Sequence, residues 1–240
     1  MGRAFEYRKA TKMKRWGQMA KTFTRIGKDI VLAVKNGGPD PSTNARLRAV
    51  IQNAKAANMP KDNVDRAIKK ASTNNKDNPD YKEMVYEGYG PHGVAILIEC
   101  TTDNTNRSIA NIRSYFSKTG GTVGTQGMLD FIFERKSVFK IAKTDAIDIE
   151  ELELELIDFG VEEIFLDEEN NQVNIYGDFT SFGAIQKYLE ENNFEMQGAD
   201  FERIPNETKE YTSEQVVDID KLIDKLDEDD DVNIVYTNLR

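Results

Sequence analysis

Residues 137–204 decide the fold, and they read SVFKIAKTDAIDIEELELELIDFGVEEIFLDEENNQVNIYGDFTSFGAIQKYLEENNFEMQGADFERI. Runs of β-forming and apolar residues predict four strands, at 138–142, 162–166, 172–176 and 194–203. Apolar residues spaced three and four apart predict two helices, at 147–159 and 182–192. The resulting order of strand, helix, strand, strand, helix and strand is that of a ferredoxin-like, split βαβ domain.

The segments on either side of this stretch form a second, incomplete copy of the same pattern. Before it, we predict strands at 83–87, 94–101 and 129–134 and a helix at 106–118. After it, we predict a helix at 213–226 and a strand at 232–237. The acidic α/β domain 137–204 is therefore expected to be inserted into a parent α/β domain made of residues 77–136 and 205–240.

The first 76 residues have a helical pattern. Trp16, Met19, Phe23, Ile26, Ile30 and Val34 form one apolar stripe, and further helices are predicted after Pro41 and from Pro60. Residues 1–76 are thus predicted to be a basic helical domain with an N-terminal arm. The fold class is multidomain α+β, with a small helical bundle and two ferredoxin-like domains, one inserted in the other.

Charge is unevenly divided along the 240 residues. The whole chain has 32 Lys and Arg against 42 Asp and Glu, a net charge of −10. Residues 1–76 contain 18 of those cations and 5 of those acids, a net charge of +13, whereas residues 137–204 contain 4 and 18, a net charge of −14. This asymmetry favours a module that binds a polyanion, joined to acidic modules that a polyanion would repel. A merely solvated basic surface is the alternative.

The candidate nucleic-acid-binding residues are cations expected on the outer faces of the helices. Lys21, Arg25 and Lys28 are expected opposite the apolar stripe, and cations of the parent helix at 106–118 extend the surface. The full candidate set is Lys14, Arg15, Lys21, Arg25, Lys28, Arg46, Arg48, Lys55, Arg66, Lys69, Lys70, Arg107, Arg113 and Lys118.

Several classes of protein are excluded by composition. One Cys and one His cannot form an intramolecular disulfide framework or a structural zinc site, and a reducing cytoplasm fits this composition. No apolar run reaches the roughly 20 residues that span a bilayer. We expect no metal, no cofactor and no membrane partner, and nothing in the sequence identifies a dimer interface.

Three motifs have a structural and a functional interpretation. Gly88–Gly93 matches a dinucleotide-binding spacing, but a strand is predicted after it where a helix is required, so we expect a turn. His92 in that turn is a candidate general base without an identified partner. Gly120–Gly127 is either a helix cap and connector or a ligand-binding loop. The acidic run Asp227–Asp231 has a metal-binding loop as its functional interpretation, but the EF-hand spacing with its Gly and terminal Glu is absent, so we expect a helix-to-strand turn.

Motifs spread over nearly the whole chain resemble the YebC/PmpR family of probable transcriptional regulatory proteins. They are Asn44–Arg48, Asn58–Lys70, Tyr86–Ala95, Thr102–Arg107, Lys118–Gly121 and Asp229–Tyr236. The resemblance implies three domains, a helical one and two α/β domains of which one is inserted, and no catalytic residues. It implies a cytoplasmic DNA-binding regulator of transcription, and also a link to translation, since a mitochondrial branch activates translation and bacterial members are tied to the ribosome.

The leading hypothesis is a non-enzymatic nucleic-acid-binding protein that regulates transcription through DNA. The alternative is a translation factor or activator that binds ribosomal RNA, because acidic domains are better tolerated beside basic ribosomal proteins than beside duplex DNA. Two further hypotheses stay open, an enzyme that uses His92 or a carboxylate pair and an adaptor whose acidic faces bind a basic protein partner.

Overall fold

The computed structural model describes residues 19–73, 79–144 and 147–240. Their contacts form two compact units. The first unit contains the described part of residues 1–75 together with Arg135–Glu202, and the second contains the described part of Lys76–Glu134 together with Arg203–Arg240. In the described ranges, no helix is long and apolar enough to cross a membrane.

The chain begins with three helices and continues with a mixture of strands and helices, as expected of an α+β protein. In chain order they are α1 (Met19–Gly37), α2 (Ala45–Ala56), α3 (Lys61–Ser72), β1 (Lys82–Tyr89), β2 (Ala95–Thr102), α4 (Thr105–Lys118), β3 (Thr122–Val123), β4 (Phe133–Ala142), α5 (Ile149–Leu156), β5 (Val161–Asp167), β6 (Gln172–Asp178), α6 (Phe182–Glu191), β7 (Met196–Pro205), α7 (Ser213–Glu228) and β8 (Val232–Thr237).

Helices α1, α2 and α3 pack around one apolar core in the first unit. Ile30 of α1, Leu47 and Ala54 of α2 and Val64 of α3 are buried there. Asn44 caps α2, because its Oδ1 accepts from the Leu47 amide at 3.0 Å. Its Nδ2 also donates to the carbonyl oxygens of Ala33 and Gly38, both at 2.8 Å, which fixes the turn between α1 and α2. The predicted helical segment is confirmed.

The first unit also contains a four-stranded antiparallel sheet in the order β5-β6-β4-β7. The chain order β4, α5, β5, β6, α6, β7 with this arrangement is the split βαβ fold, which confirms the prediction for the inserted domain. Phe139 pairs with Ile175, and Ile175 pairs with Ile164, so apolar residues meet on one face. Leu156 and Ile185 of the two helices complete this core.

The second unit is built on the antiparallel sheet β3-β1-β2-β8. Helices α4 and α7 cover one face, where Ile112, Phe116 and Leu222 pack against Ile96 and Ile98. Since β1 lies between β2 and β3, the segment from β2 through α4 to β3 is itself a split βαβ unit.

The predicted strand at 129–134 is wrong. Residues 129–132 form turns, only Phe133 and Glu134 are extended, and both belong to the start of β4. The fourth strand of the parent sheet is instead the two-residue β3, which pairs with the end of β1. Leu129 and Phe133 pack against Leu97 and Tyr236, so burial explains these two apolar residues, whereas Phe131 between them is 73% exposed.

Two neighbouring strands carry the chain between the units. Strand β4 begins in the second unit and continues into the first, while β7 returns from the first unit to the second. At the point of crossing the two chain segments bond to each other, since the Asn206 amide donates to the Ile132 carbonyl at 2.8 Å. The Asn206 side chain also donates to the Phe131 carbonyl at 3.2 Å.

Candidate nucleic-acid interface

The candidate cations of α1 do not all face outward. Lys21 and Arg25 are half-buried, and Lys28 has an exposed fraction of 7%. The prediction that Lys28 lies on the exposed side is therefore wrong. Leu32, one turn further along, is also buried at 4%, so α1 is covered on a second side in addition to its apolar stripe. Lys14 and Arg15 lie outside the described residues, as does Trp16.

Helix α2 is attached to the inserted sheet by polar contacts. Asn53 Nδ2 donates to the Ala199 carbonyl at 2.8 Å, and the Ala199 amide donates back to Asn53 Oδ1 at 3.0 Å. Arg48 Nε donates to Glu190 Oε1 of α6 at 2.9 Å. Arg48 Nη1 also donates to the Pro41 and Ser42 carbonyls, at 2.8 Å and 3.1 Å. The predicted outward placement of Arg48 is therefore wrong, because its guanidinium joins the helices to the sheet.

Among residues 19–73, all exposed cations except Lys35 of α1 lie on α3 or at the end of α2. Lys55, Arg66, Lys69 and Lys70 are exposed, as predicted. Arg46 is half-buried. Arg66 Nε donates to the Asp62 carbonyl at 3.1 Å, which orients its guanidinium along the helix. Lys61, in the first turn of α3, is also exposed and was missing from the sequence-derived set, although its place directly after Pro60 at the helix start could have identified it.

We call Lys55, Lys61, Arg66, Lys69 and Lys70 the α3 basic surface. Residues 19–73 contain 11 Lys and Arg against 4 Asp and Glu, so this surface lies in a segment with a net charge of +7. Lysine ammonium and arginine guanidinium groups are the usual partners of backbone phosphates, and such contacts contribute affinity more than sequence selectivity. Asp62 and Asp65 of α3 are also exposed among these cations, but five cations against two acids leave a net preference for a polyanion.

In the second unit, Arg107 has a structural partner. Its Nη2 lies 2.7 Å from Asp231 Oδ2 and 2.9 Å from Asp103 Oδ1. Asp231 also accepts from the Ser108 hydroxyl at 2.8 Å and the Thr102 hydroxyl at 3.1 Å. Burial raises the pKa of Asp231, but the hydrogen bonds from Arg107, Ser108 and Thr102 outweigh it and hold that pKa below its usual value.

Arg113 and Lys118 are exposed on α4. Lys118 borders an open groove of about 650 Å³ in the second unit. The groove is lined by Lys118, Thr119, Asp218, Lys221, Asp224, Lys225 and Glu228. Three lysines and three acids leave the groove without a net preference for an anionic ligand.

The glycine motifs are structural. Gly88–Gly93 ends β1 and forms a short 3₁₀ turn at Pro91–Gly93, with strand β2 following, as expected of a turn. In that turn His92 Nε2 lies 3.2 Å from Asp218 Oδ2 of α7. Gly120 follows the end of α4 with a φ of +79°, a conformation that glycine adopts without strain. The stretch from Gly120 therefore begins as a helix cap and connector.

Sequence reasoning missed Glu87, which is buried with an exposed fraction of 3%. Its Oε1 accepts from the Gly127 amide at 2.8 Å and its Oε2 from the Leu129 amide at 2.7 Å. These amides belong to the segment considered as a ligand-binding loop, and they are already bonded. The acidic run 227–231 is the predicted helix-to-strand turn, and in it Asp229 accepts from Asn111 and Tyr115 of α4, at 3.1 Å and 3.0 Å.

Comparison with known proteins finds one family over nearly the whole chain. A model described as the TACO1/YebC protein N-terminal domain matches residues 3–74, and one described as the TACO1/YebC second and third domain matches residues 81–239. A probable transcriptional regulatory protein of Flavobacterium johnsoniae is 64% identical, covering 100% of this chain and 99% of the relative. One of Bacteroides fragilis is 61% identical, covering 100% and 97%.

A solved structure has the same fold. It is the crystal structure of a conserved hypothetical protein from Aquifex aeolicus, with a TM-score of 0.78 and 34% sequence identity. The match covers 94% of this chain and 91% of that one. The likeness therefore extends over both sheets and the helical segment.

Proposed function

The chain belongs to the TACO1/YebC family, and from this premise we propose that it is a non-enzymatic, nucleic-acid-binding regulator of the cytoplasm. Its principal target is DNA, and its role is the regulation of transcription. The observation that carries the proposal is the α3 basic surface, five exposed cations in a segment with a net charge of +7. The names of the relatives, which are probable transcriptional regulatory proteins, support the same role.

The binding domain is proposed to be residues 1–76, with the inserted domain 137–204 kept away from phosphates by its own acids. Of the wider candidate set, Lys28 and Arg48 are left out because one is buried and the other bonds Glu190. Arg107 is left out because it pairs with Asp231. Lys14, Arg15, Lys21, Arg25, Arg46, Arg113 and Lys118 stay as proposed secondary contacts.

The test is the salt dependence of binding to a duplex DNA. If six cations engage phosphates, the slope of log K against log salt is about −5. The triple variant Lys61→Gln, Lys69→Gln, Lys70→Gln should weaken binding about tenfold or more on every sequence and make the slope less negative by about 3. A sequence-selective loss would indicate base readout instead.

The matched control removes the same charge from other exposed lysines. Lys82, Lys143 and Lys187 are exposed and lie outside the helical segment. Their triple change to Gln should leave the affinity for DNA within about twofold, because dissolved salt screens the attraction between DNA and charges that do not contact it. Equal losses in the two triple variants, or a flat salt dependence of the wild-type protein, would refute the proposal.

A ribosomal target is the second candidate, favoured by one observation. The basic helices share their compact unit with an inserted domain whose net charge is −14, which duplex DNA repels and basic ribosomal proteins accept. Sedimentation of the native protein in a gently prepared lysate separates the candidates. Release from heavy particles by RNase alone would assign the ribosome, and release from DNA by DNase alone would assign transcription.

A further inference from the structure

Helix α5 and the 3₁₀ turn Ile157–Phe159 that follows it leave two large apolar side chains, Leu154 and Ile157, in solvent. Leu152 and Leu156 fill the core of the inserted sheet, with exposed fractions of 3% and 0%. Leu154 and Ile157, on another side of the same helical segment, are 74% and 60% exposed. Residues three apart on a helix are surface neighbours, so the two side chains form one continuous apolar strip.

Carboxylates surround this strip. The helical neighbours of Leu154 at three and four residues are Glu150, Glu151 and Asp158 in addition to Ile157, and these acids are exposed. Between Lys143 and Lys187 the sequence contains no Lys or Arg at all. The negative charge around the strip is therefore not neutralised by cations of its own chain segment.

Aromatic rings and a hydrogen bond tie the helical segment of the strip to α6. The rings of Phe159 and Tyr188 lie 5.0 Å apart, and Tyr188 lies 6.4 Å from Phe194. The Tyr188 hydroxyl donates to Glu155. Burial, together with the charge of that carboxylate, raises the pKa of Tyr188 to about 12, so the hydroxyl remains a donor at neutral pH. These contacts hold α5 against α6, so the strip belongs to a helix with a fixed place in its domain.

We propose that Glu150, Glu151, Leu154, Ile157 and Asp158, the α5 docking surface, bind a basic amphipathic helix of a partner protein. Apolar residues of the partner, spaced three or four apart, would contact Leu154 and Ile157, and its Lys or Arg residues would pair with the surrounding carboxylates. Charge complementarity argues for this occupant. A second copy of the chain would bring two acidic rims together, and a nucleic acid would be repelled. The inference goes beyond nucleic-acid binding and does not depend on it.

The probe is a fluorescent designed helical peptide with Leu at positions i, i+3 and i+7 and Lys or Arg at the remaining surface positions. Its affinity for the full chain is measured by fluorescence anisotropy. The double variant Leu154→Ser, Ile157→Ser is expected to weaken binding about tenfold or more, because apolar contact area is lost. The double variant Glu150→Gln, Glu151→Gln is expected to weaken binding at low salt and to flatten its salt dependence.

Matched controls separate this surface from general attraction. Val217 is an exposed apolar residue of α7 with an exposed fraction of 54%, and Val217→Ser should leave affinity within about twofold. The double change Glu168→Gln, Glu169→Gln removes two exposed acids from the turn between β5 and β6 and should do the same. A companion peptide with Gln in place of every Leu should bind about tenfold more weakly.

Three results would overturn the proposal. If the companion peptide binds as tightly as the probe, charge alone explains the interaction and the apolar strip contributes nothing to it. If the control variants weaken peptide binding as much as the α5 variants do, the peptide does not bind specifically at the α5 docking surface. A concentration-dependent dimer in sedimentation equilibrium that Leu154→Ser, Ile157→Ser abolishes would assign the surface to a second copy. The Lys61, Lys69 and Lys70 triple variant should retain peptide binding, so that failure here is distinguishable from failure of the proposed function.

Discussion

The two four-stranded sheets use their buried acids differently. In the parent sheet, buried Glu87 bonds amides 40 and 42 residues away, and buried Asp231 bonds hydroxyls 123 and 129 residues away. In the inserted sheet, buried Asp167 accepts hydrogen bonds from Asn170 and Gln172, three and five residues away. Most other acids of the inserted domain are exposed. One sheet thus uses carboxylates to join distant segments, and the other mainly displays them to solvent.

The largest effect on stability is expected for Asp231→Ala. It leaves Arg107, Ser108 and Thr102 without their shared acceptor, and we expect the free energy of unfolding to fall by about 2–3 kcal/mol. Urea unfolding followed by circular dichroism measures the change. The control Glu168→Ala removes an exposed acid of the inserted domain and should stay within about 0.5 kcal/mol. If both variants lose the same free energy of unfolding, the buried acids of the parent sheet contribute no more to stability than the exposed acids of the inserted domain.

Acid unfolding sharpens the same comparison. Because the pKa of folded Asp231 lies below the unfolded value of about 3.9, its stabilisation is present above that value and is lost as pH falls through the folded pKa. Asp231→Asn should therefore have a shallower decline in stability below about pH 4 than the wild type. Melting temperatures measured from pH 7 to pH 2 give both curves. Parallel curves would show that Asp231 titrates alike in both states.

Glu87→Gln should have a smaller effect. A glutamine side chain has one acceptor oxygen, so one of the two amides that Glu87 holds loses its partner, at a cost of about 1–2 kcal/mol. Hydrogen exchange should accelerate at Gly127 or Leu129. The Gly124 amide, which bonds the Glu87 backbone carbonyl at 2.8 Å, serves as the internal control and should keep its exchange rate. Unchanged exchange at both test amides would contradict the assignment.

The smallest effect is expected for Glu190→Gln. Glu190 is an acid of the inserted domain that does form a distant contact, with Arg48 at 2.9 Å, but both side chains are about one third exposed. Partly exposed ion pairs contribute little, so we expect a loss of about 0.5 kcal/mol that shrinks further in high salt. A thermal melt at two salt concentrations measures it. If Glu190→Gln loses as much free energy of unfolding as Asp231→Ala, the Arg48–Glu190 pair stabilises the fold as strongly as the contacts of Asp231 do.

Elements with a regular apolar period were predictable from the sequence. The helix at 182–192 corresponds to Phe182–Glu191, and the strand at 232–237 to Val232–Thr237. Strand β3 was not predictable, because two residues are too short to show any period. The strand predicted at 129–134 failed because apolar residues in a turn look like those of a strand. Leu129 and Phe133 of this turn are buried, whereas Phe131 between them is 73% exposed.

The candidate interface was predictable in its location but not in each residue. The exposure of Lys55, Lys69 and Lys70 follows from helical geometry. The partners of Arg48 and Arg107 lie 142 and 124 residues away, so no local pattern identifies them. Lys28 differs from its expected placement because the pattern of one helix does not reveal how many other elements cover it.

The crossing between the units also bears on how such a chain originates. Strands β4 and β7 are neighbours in the inserted sheet, so the two ends of the insert emerge about one strand spacing apart, roughly 4.8 Å. The bond between Asn206 and Ile132 holds the host chain together at that same point. A gene segment that encodes a domain with adjacent ends can enter a host gene, or be exchanged for another, without separating the two halves of the host fold. Close chain ends of this kind are the usual condition for a domain to be tolerated as an insertion.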